Sequence, residues 1–129
     1  MKILITEDDP VSLKLASEVL QTGGHLIMLA ASADQAINSI EAVTPDVILL
    51  DLRLPGIQGL GVARQCREAT GTRDIPIIAV TAFTSDGGRA EALAAGCDAY
   101  LAKPINTRTL LQEVEAVVAA KALRLAARH

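Results

Sequence analysis

The chain has 129 residues, with 12 Lys and Arg against 15 Asp and Glu, for a formal net charge of −3. That is the usual size of one domain and too short for a second independent unit, and a mildly acidic chain with scattered basic residues carries no nucleic-acid footprint. No apolar stretch reaches the about 18 residues of a membrane span, and the amino terminus enters an apolar run without a signal-peptide pattern, so a single cytoplasmic domain over 1–129, without membrane contact, is expected.

Half of the residues are hydrophobic (50%), yet Phe83 and Tyr100 are the only aromatics, so the core must be built from Ala, Leu, Ile and Val. Cys66 and Cys97 lack a CxxC pairing and each falls within an apolar pattern, which reads as small core thiols in a reducing compartment. His25 and His129 have no ligand-like spacing.

Apolar runs of strand length recur at 2–6, 26–30, 47–51, 76–81 and 99–102, separated by segments of helical periodicity. Five βα units in this order imply an α/β protein with a parallel sheet covered on both faces. The first helix has Asp9 as N-cap and Pro10 at its first position, ends at Gly23-Gly24, and carries the stripe Leu13, Ala16, Val19 and Leu20. Ser32 and Gln35 are spaced as a capping box for the second helix, which buries Ala36, Ile37 and Ile40 and stops at Thr44-Pro45. Pro55-Gly56 makes a turn before a third helix from about Gly59 to Ala69. Ser85 or Asp86 caps the fourth, where Gly87-Gly88 in the first turn costs roughly 2 kcal/mol of propensity relative to alanine and predicts the least stable helix. Asn106 or Thr107 caps the last, expected over about 107–127 with the stripe Leu110, Leu111, Val114, Val117 and Val118. Its end, with Lys121, Arg124 and Arg128 at helical spacing, is expected to be a solvated face with a frayed terminus.

Polar groups close four of the apolar runs: Glu7 and Asp8 after 3–6, Asp51 after 47–50, Thr81 after 77–80, and Lys103 after 100–102. In a parallel sheet the carboxyl ends of these strands share one edge, where open α/β folds place ligands. Any one of the acids alone reads as solvated at a loop; the set, placed alike at four strand ends, reads as a site. Carboxylates about 5 Å apart repel by roughly 3 kcal/mol per pair at an effective dielectric near 20. One lysine does not cancel that, whereas a hard divalent cation does, and an all-oxygen donor set suits Mg²⁺ (or Mn²⁺).

The stretches Ile3-Leu4-Ile5-Thr6-Glu7-Asp8-Asp9-Pro10, Asp46-Val47-Ile48-Leu49-Leu50-Asp51-Leu52-Arg53-Leu54-Pro55-Gly56, Val80-Thr81-Ala82-Phe83 and Gly96-Cys97-Asp98-Ala99-Tyr100-Leu101-Ala102-Lys103-Pro104 together resemble the response-regulator receiver domains, the CheY-like phosphoacceptors of bacterial two-component signalling. The finer likeness is to stand-alone, DivK-type members with no output domain. The resemblance implies a doubly wound, flavodoxin-like (βα)5 fold with strand order 2-1-3-4-5. It implies that Asp51 takes a phosphoryl group from a phosphohistidine. Asp8 would bind Mg²⁺ directly, Glu7 through water, and the Arg53 carbonyl would be a further ligand beside Asp51. Thr81 and Lys103 would each contact a phosphoryl oxygen, Lys103-Pro104 would be a cis bond, and Thr81 with Tyr100 would form the switch. For Tyr100 the alternative is a side chain that caps the core edge with its hydroxyl in water.

The partners implied are a sensor histidine kinase or histidine phosphotransferase and a downstream protein that reads the face made by the fourth helix, fifth strand and fifth helix. The chain would act as a monomer or weak dimer and not as an enzyme beyond its own phosphorylation and dephosphorylation. A phosphorelay intermediate or phosphate sink is the second reading and a structural adaptor the third. An aspartyl-phosphate hydrolase fits less well, because Arg53 stands where such enzymes place a second acid. The large side chains of Arg53 and Phe83, flanking the site, predict slow self-dephosphorylation. Gln58 and Gly61 depart from the family pattern without touching this chemistry.

Overall fold

Uninterrupted apolar runs have no polar face to turn to water, so they are stable as strands only inside a sheet covered on both sides. A computed structural model, which describes residues 1–53, 59–81 and 86–128, places all five runs in one parallel sheet, with the runs at 2–6, 47–51 and 77–81 buried and the edge runs at 26–30 and 99–102 partly exposed. The elements alternate as β1 (Lys2–Thr6), α1 (Pro10–Gln21), β2 (Leu26–Ala30), α2 (Ala33–Ala42), β3 (Val47–Asp51), α3 (Gly59–Glu68), β4 (Ile77–Thr81), α4 (Asp86–Ala94), β5 (Ala99–Ala102) and α5 (Leu110–Ala127). All pairings are parallel, in the order β2-β1-β3-β4-β5. The central strands β3 and β4 are buried along their whole length, as their lack of alternation predicts.

The pleat sends alternate side chains to two cores. Leu4, Ile48, Leu50, Ile77 and Ala79 face α2, α3 and α4, where they meet Ala36, Ile40, Val62, Cys66 and Ala92. Ile3, Ile5, Val47, Leu49, Ile78 and Val80 face α1 and α5, where they meet Ala16, Leu20, Leu110 and Val114. Both cysteines are buried in the first of these cores.

The helix starts follow local chemistry. The Asp9 side chain accepts from the Ser12 amide at 3.3 Å and the Ser12 hydroxyl at 2.7 Å, with Pro10 following it. Ser32 accepts from the Gln35 amide at 3.2 Å, while the Gln35 side chain reaches back to the Ala31 amide at 2.8 Å, one residue earlier than a standard capping box. Gly24, with φ of 80°, carries the chain out of α1 in the left-handed region that favours glycine. Among the described residues of α4 only Ala92 is buried. Asp86 is its first residue rather than its cap, and Pro55-Gly56, Gln58, Phe83, Ser85 and His129 lie outside the described residues.

One sequence expectation is corrected at α5. The helix begins at Leu110 after Thr109, later than the expected 107; Asn106 holds the turn that leads into it, its carboxamide oxygen accepting from the Arg108 amide at 2.9 Å and its carbonyl oxygen from the Leu110 amide at 3.0 Å. Its far end is mostly exposed to solvent, as expected, with Arg124 and Arg128 among the exposed residues, but Lys121 is half-buried and anchored. Lys121 Nζ lies 2.7 Å and Arg124 Nη2 3.3 Å from Oδ1 of the half-buried Asp98, whose Oδ2 accepts from Arg67 Nη2 at 2.8 Å and the Ile77 amide at 2.9 Å. These partners come from three different elements, so helical spacing within α5 gave no sign of them.

Candidate functional site

Strand order 2-1-3-4-5 reverses direction between β1 and β3, and the crevice at their carboxyl ends is where doubly wound sheets bind ligands. Glu7 and Asp8 leave β1 there and Asp51 ends β3. Glu7, Asp51 and Thr81 are buried, at 5%, 2% and 1% exposure. Asp8 is exposed. One carboxylate oxygen from each of Glu7, Asp8 and Asp51 lies within 4.8 Å of the others.

Lys103, just past β5, extends into this cluster. Its ammonium donates to both oxygens of Glu7, at 2.8 and 2.7 Å, and to Asp51 Oδ2 at 2.9 Å. The Arg53 amide donates to Asp51 Oδ1 at 2.9 Å, so both oxygens of Asp51 are held. The Lys103 amide donates to the Thr81 carbonyl at 2.9 Å, which ties the lysine to the end of β4, and the Lys103-Pro104 bond is cis. The Asp9 amide reaches Glu7 Oε1 at 3.3 Å.

The two buried carboxylates divide their protons unequally. Burial, then the neighbouring Asp51 carboxylate, pushes Glu7 up to about 7 against the pull of Lys103. Burial also works against an ionised Asp51, but hydrogen bonds from Glu7, the Arg53 amide and Lys103 outweigh it and hold Asp51 below the usual carboxylate range. Lys103 is desolvated, yet its bonds to Glu7 and Asp51 raise it above the ordinary lysine value. The crevice therefore keeps Asp51 as an anion and already holds one cation. Three oxygen donors of this kind, without sulfur or imidazole, fit a hard divalent cation and not zinc.

The structure thus brings together Glu7, Asp8, Asp51, Thr81, Lys103 and the Arg53 backbone, as the strand-end pattern predicts. Tyr100 stands apart, on β5 opposite Ala79, packed against the core under α2, α3 and α4. Its hydroxyl is buried with no hydrogen-bond partner among the described residues, which corrects the alternative of a hydroxyl in water. Phe83 lies outside the described residues.

Two further residues shape the site. Thr6, buried at 2%, donates from Oγ1 to the Leu49 carbonyl at 2.9 Å and accepts from the Asp51 amide at 3.2 Å. Its signal in the sequence is a lone hydroxyl closing an aliphatic buried strand. Gly59, first in α3, lies against the Asp51 backbone, and no sequence pattern marks that contact.

Comparison with known proteins agrees with this geometry. Residues 3–115 match the family model described as response regulator receiver domain. The polar-differentiation response regulator DivK of Brucella ovis is 31% identical over 113 residues, covering 88% of this chain and 92% of DivK. A putative response regulator from Chloroflexus aurantiacus superposes with a TM-score of 0.87 at 30% identity, over 92% of this chain and 97% of that one. The receiver domain of a sensor histidine kinase from Pseudomonas aeruginosa, whose active-site cleft coordinates a magnesium ion, superposes with a TM-score of 0.83 at 36% identity, over 92% and 97% of the two chains. With the family model spanning most of its length and the CheY-like topology in place, this chain belongs to the response-regulator receiver domains of two-component signalling.

Proposed function

We propose that this receiver accepts a phosphoryl group on Asp51 from a phosphohistidine of a sensor kinase or histidine phosphotransferase, acts as a stand-alone domain in the cytoplasm, and signals to a downstream protein. The observation that carries the reading is the buried Asp51 carboxylate held at both oxygens, by Lys103 and the Arg53 amide, beside Glu7 and Asp8. Such a carboxylate is a competent nucleophile because it is already ionised. One of its oxygens attacks phosphorus as the P–N bond breaks; the imidazole leaves with the bonding pair and takes a proton from solvent.

The transferring group spreads negative charge over its equatorial oxygens, so the protein must supply positive charge and aligned donors. Lys103 provides an ammonium fixed from two sides, and Thr81, buried at the end of β4, would provide the aligned hydroxyl. Glu7, Asp8, Asp51 and the Arg53 carbonyl would hold Mg²⁺ or Mn²⁺, which when bound offsets the carboxylates and the phosphoryl charge. Turnover is confined to the domain's own phosphorylation and hydrolysis.

Output through the face of α4, β5 and α5 fits the weak burial of α4 over residues 89–94 and the Tyr100 hydroxyl, buried without a partner among the described residues. The test is intact mass after incubation with acetyl phosphate or phosphoramidate, with and without Mg²⁺, beside Asp51→Asn. A single Mg²⁺-dependent phosphoryl adduct absent from Asp51→Asn is the expected result; no adduct under any condition would leave a structural adaptor. Decay of the adduct in Arg53→Ala and Phe83→Ala tests the slow self-dephosphorylation, and back-transfer to a histidine phosphotransferase would favour a relay over a switch.

A further inference from the structure

We propose that Thr6 is a positioning residue for the phosphoacceptor, its hydroxyl acting as a side-chain rung between β1 and β3 that holds the Asp51 backbone in register with Glu7. The proposal rests on the reading of Asp51 as the acceptor. In the β1–β3 ladder Thr6 stands opposite Leu50. Its Oγ1 donates to the carbonyl of Leu49 and accepts from the amide of Asp51, so one hydroxyl spans both flanks of Leu50, the last residue of β3 paired with β1.

Packing does not require this hydroxyl. Ile3, Leu4 and Ile5 complete β1 with aliphatic side chains, and valine has the shape of threonine without its hydrogen bonds. What the hydroxyl adds is direction. Glu7, the next residue, is tied by its amide to the Ala30 carbonyl at 3.0 Å, and Leu52, the residue after Asp51, is tied to the Val80 carbonyl at 3.2 Å. Thr6 joins these two halves, so the carboxylates of Glu7 and Asp51, bridged by Lys103 above, share a second bridge through the backbone below. Group transfer is sensitive to misplacement on this scale, with about 1 Å capable of costing about a hundredfold.

The test is the rate of adduct formation with acetyl phosphate at saturating Mg²⁺ in wild type, Thr6→Val, Thr6→Ser and, as a control for general destabilisation, Ile40→Val in the core under α2. Thr6→Val is expected to be about tenfold slower, Thr6→Ser to stay within about twofold of wild type, and Ile40→Val to react at the wild-type rate. Should the valine variant not fold, Thr6→Ala removes the same hydroxyl and is expected to be equally slow. Wild-type rates in Thr6→Val, or a Thr6→Ser variant as slow as valine, would overturn the positioning role while leaving Asp51 as acceptor. A wild-type protein that takes no phosphoryl group at all would remove the acceptor reading and this proposal with it.

Discussion

Gly59 packs its α-carbon directly against the peptide of Asp51: a Cβ at this position would lie 2.5 Å from the Asp51 carbonyl oxygen and 2.8 Å from the Leu52 α-carbon. Both are backbone atoms at the end of a buried central strand and have little room to withdraw. The start of α3 and the end of β3 at Asp51 are thereby spaced by a missing side chain.

Gly59→Ala therefore inverts the usual sign of a glycine-to-alanine change in a helix, which ordinarily stabilises by about 0.5–1 kcal/mol. The expected outcome is destabilisation of about 1–3 kcal/mol, typical of overpacking, together with slower phosphorylation of Asp51. Urea titration beside adduct kinetics checks it; a variant more stable than wild type would show that the contact yields freely.

Tyr100 buries a hydroxyl that no described residue satisfies. An unpaired buried polar group costs on the order of 1–3 kcal/mol, so Tyr100→Phe should stabilise the unphosphorylated protein by roughly 1 kcal/mol and raise Tm by about 3–5 °C. If the hydroxyl serves as the moving part of the switch, the same variant should bind its downstream partner differently. A lowered Tm would mean that the hydroxyl has a partner in solution.

Asp98 anchors the end of α5 through Lys121 and Arg124 and the end of α3 through Arg67. Removing the one carboxylate leaves Arg67 and Lys121, both largely buried, without their anion. Asp98→Ala is expected to cost about 3 kcal/mol and to speed hydrogen exchange over 121–127. Unchanged exchange there would show that these ion pairs do not hold the end of α5.

Cys97 is pushed by burial from its ordinary 9.0 up to about 11, and Cys66 is raised for the same reason, with Arg67 opposing in both. Between about pH 9 and 11 the unfolded thiol would ionise while the native one keeps its proton, so the native state binds more protons and stability falls as pH rises through that window. Cys97→Ala should flatten this slope. Iodoacetamide should label the native protein far more slowly at pH 8 than the protein in urea, and equal rates would contradict the burial.

Much of this protein was legible in its sequence because the physics concerned is local. Buried parallel strands must be apolar throughout, so β1, β3 and β4 could be read directly from the sequence, and the partly exposed edge strands β2 and β5 as apolar runs of strand length. The α1 and α2 caps reach only about three residues along the chain, and Glu7, Asp8, Asp51, Thr81 and Lys103 could be placed on one sheet edge because each closes an apolar run. The start of α5 was placed early because Asn106 caps a turn that leads into the helix at Leu110, and a capped turn and a capped helix look alike in sequence. Only the tertiary structure decided which groups meet across elements: Lys103 with both Glu7 and Asp51, Lys121 and Arg124 with Asp98, the Thr6 hydroxyl with Asp51, and the bare α-carbon of Gly59 with the Asp51 carbonyl. Periodicity specifies which face of an element is buried. Partner choice across the sheet depends on strand order, register and side-chain reach, which no single segment encodes.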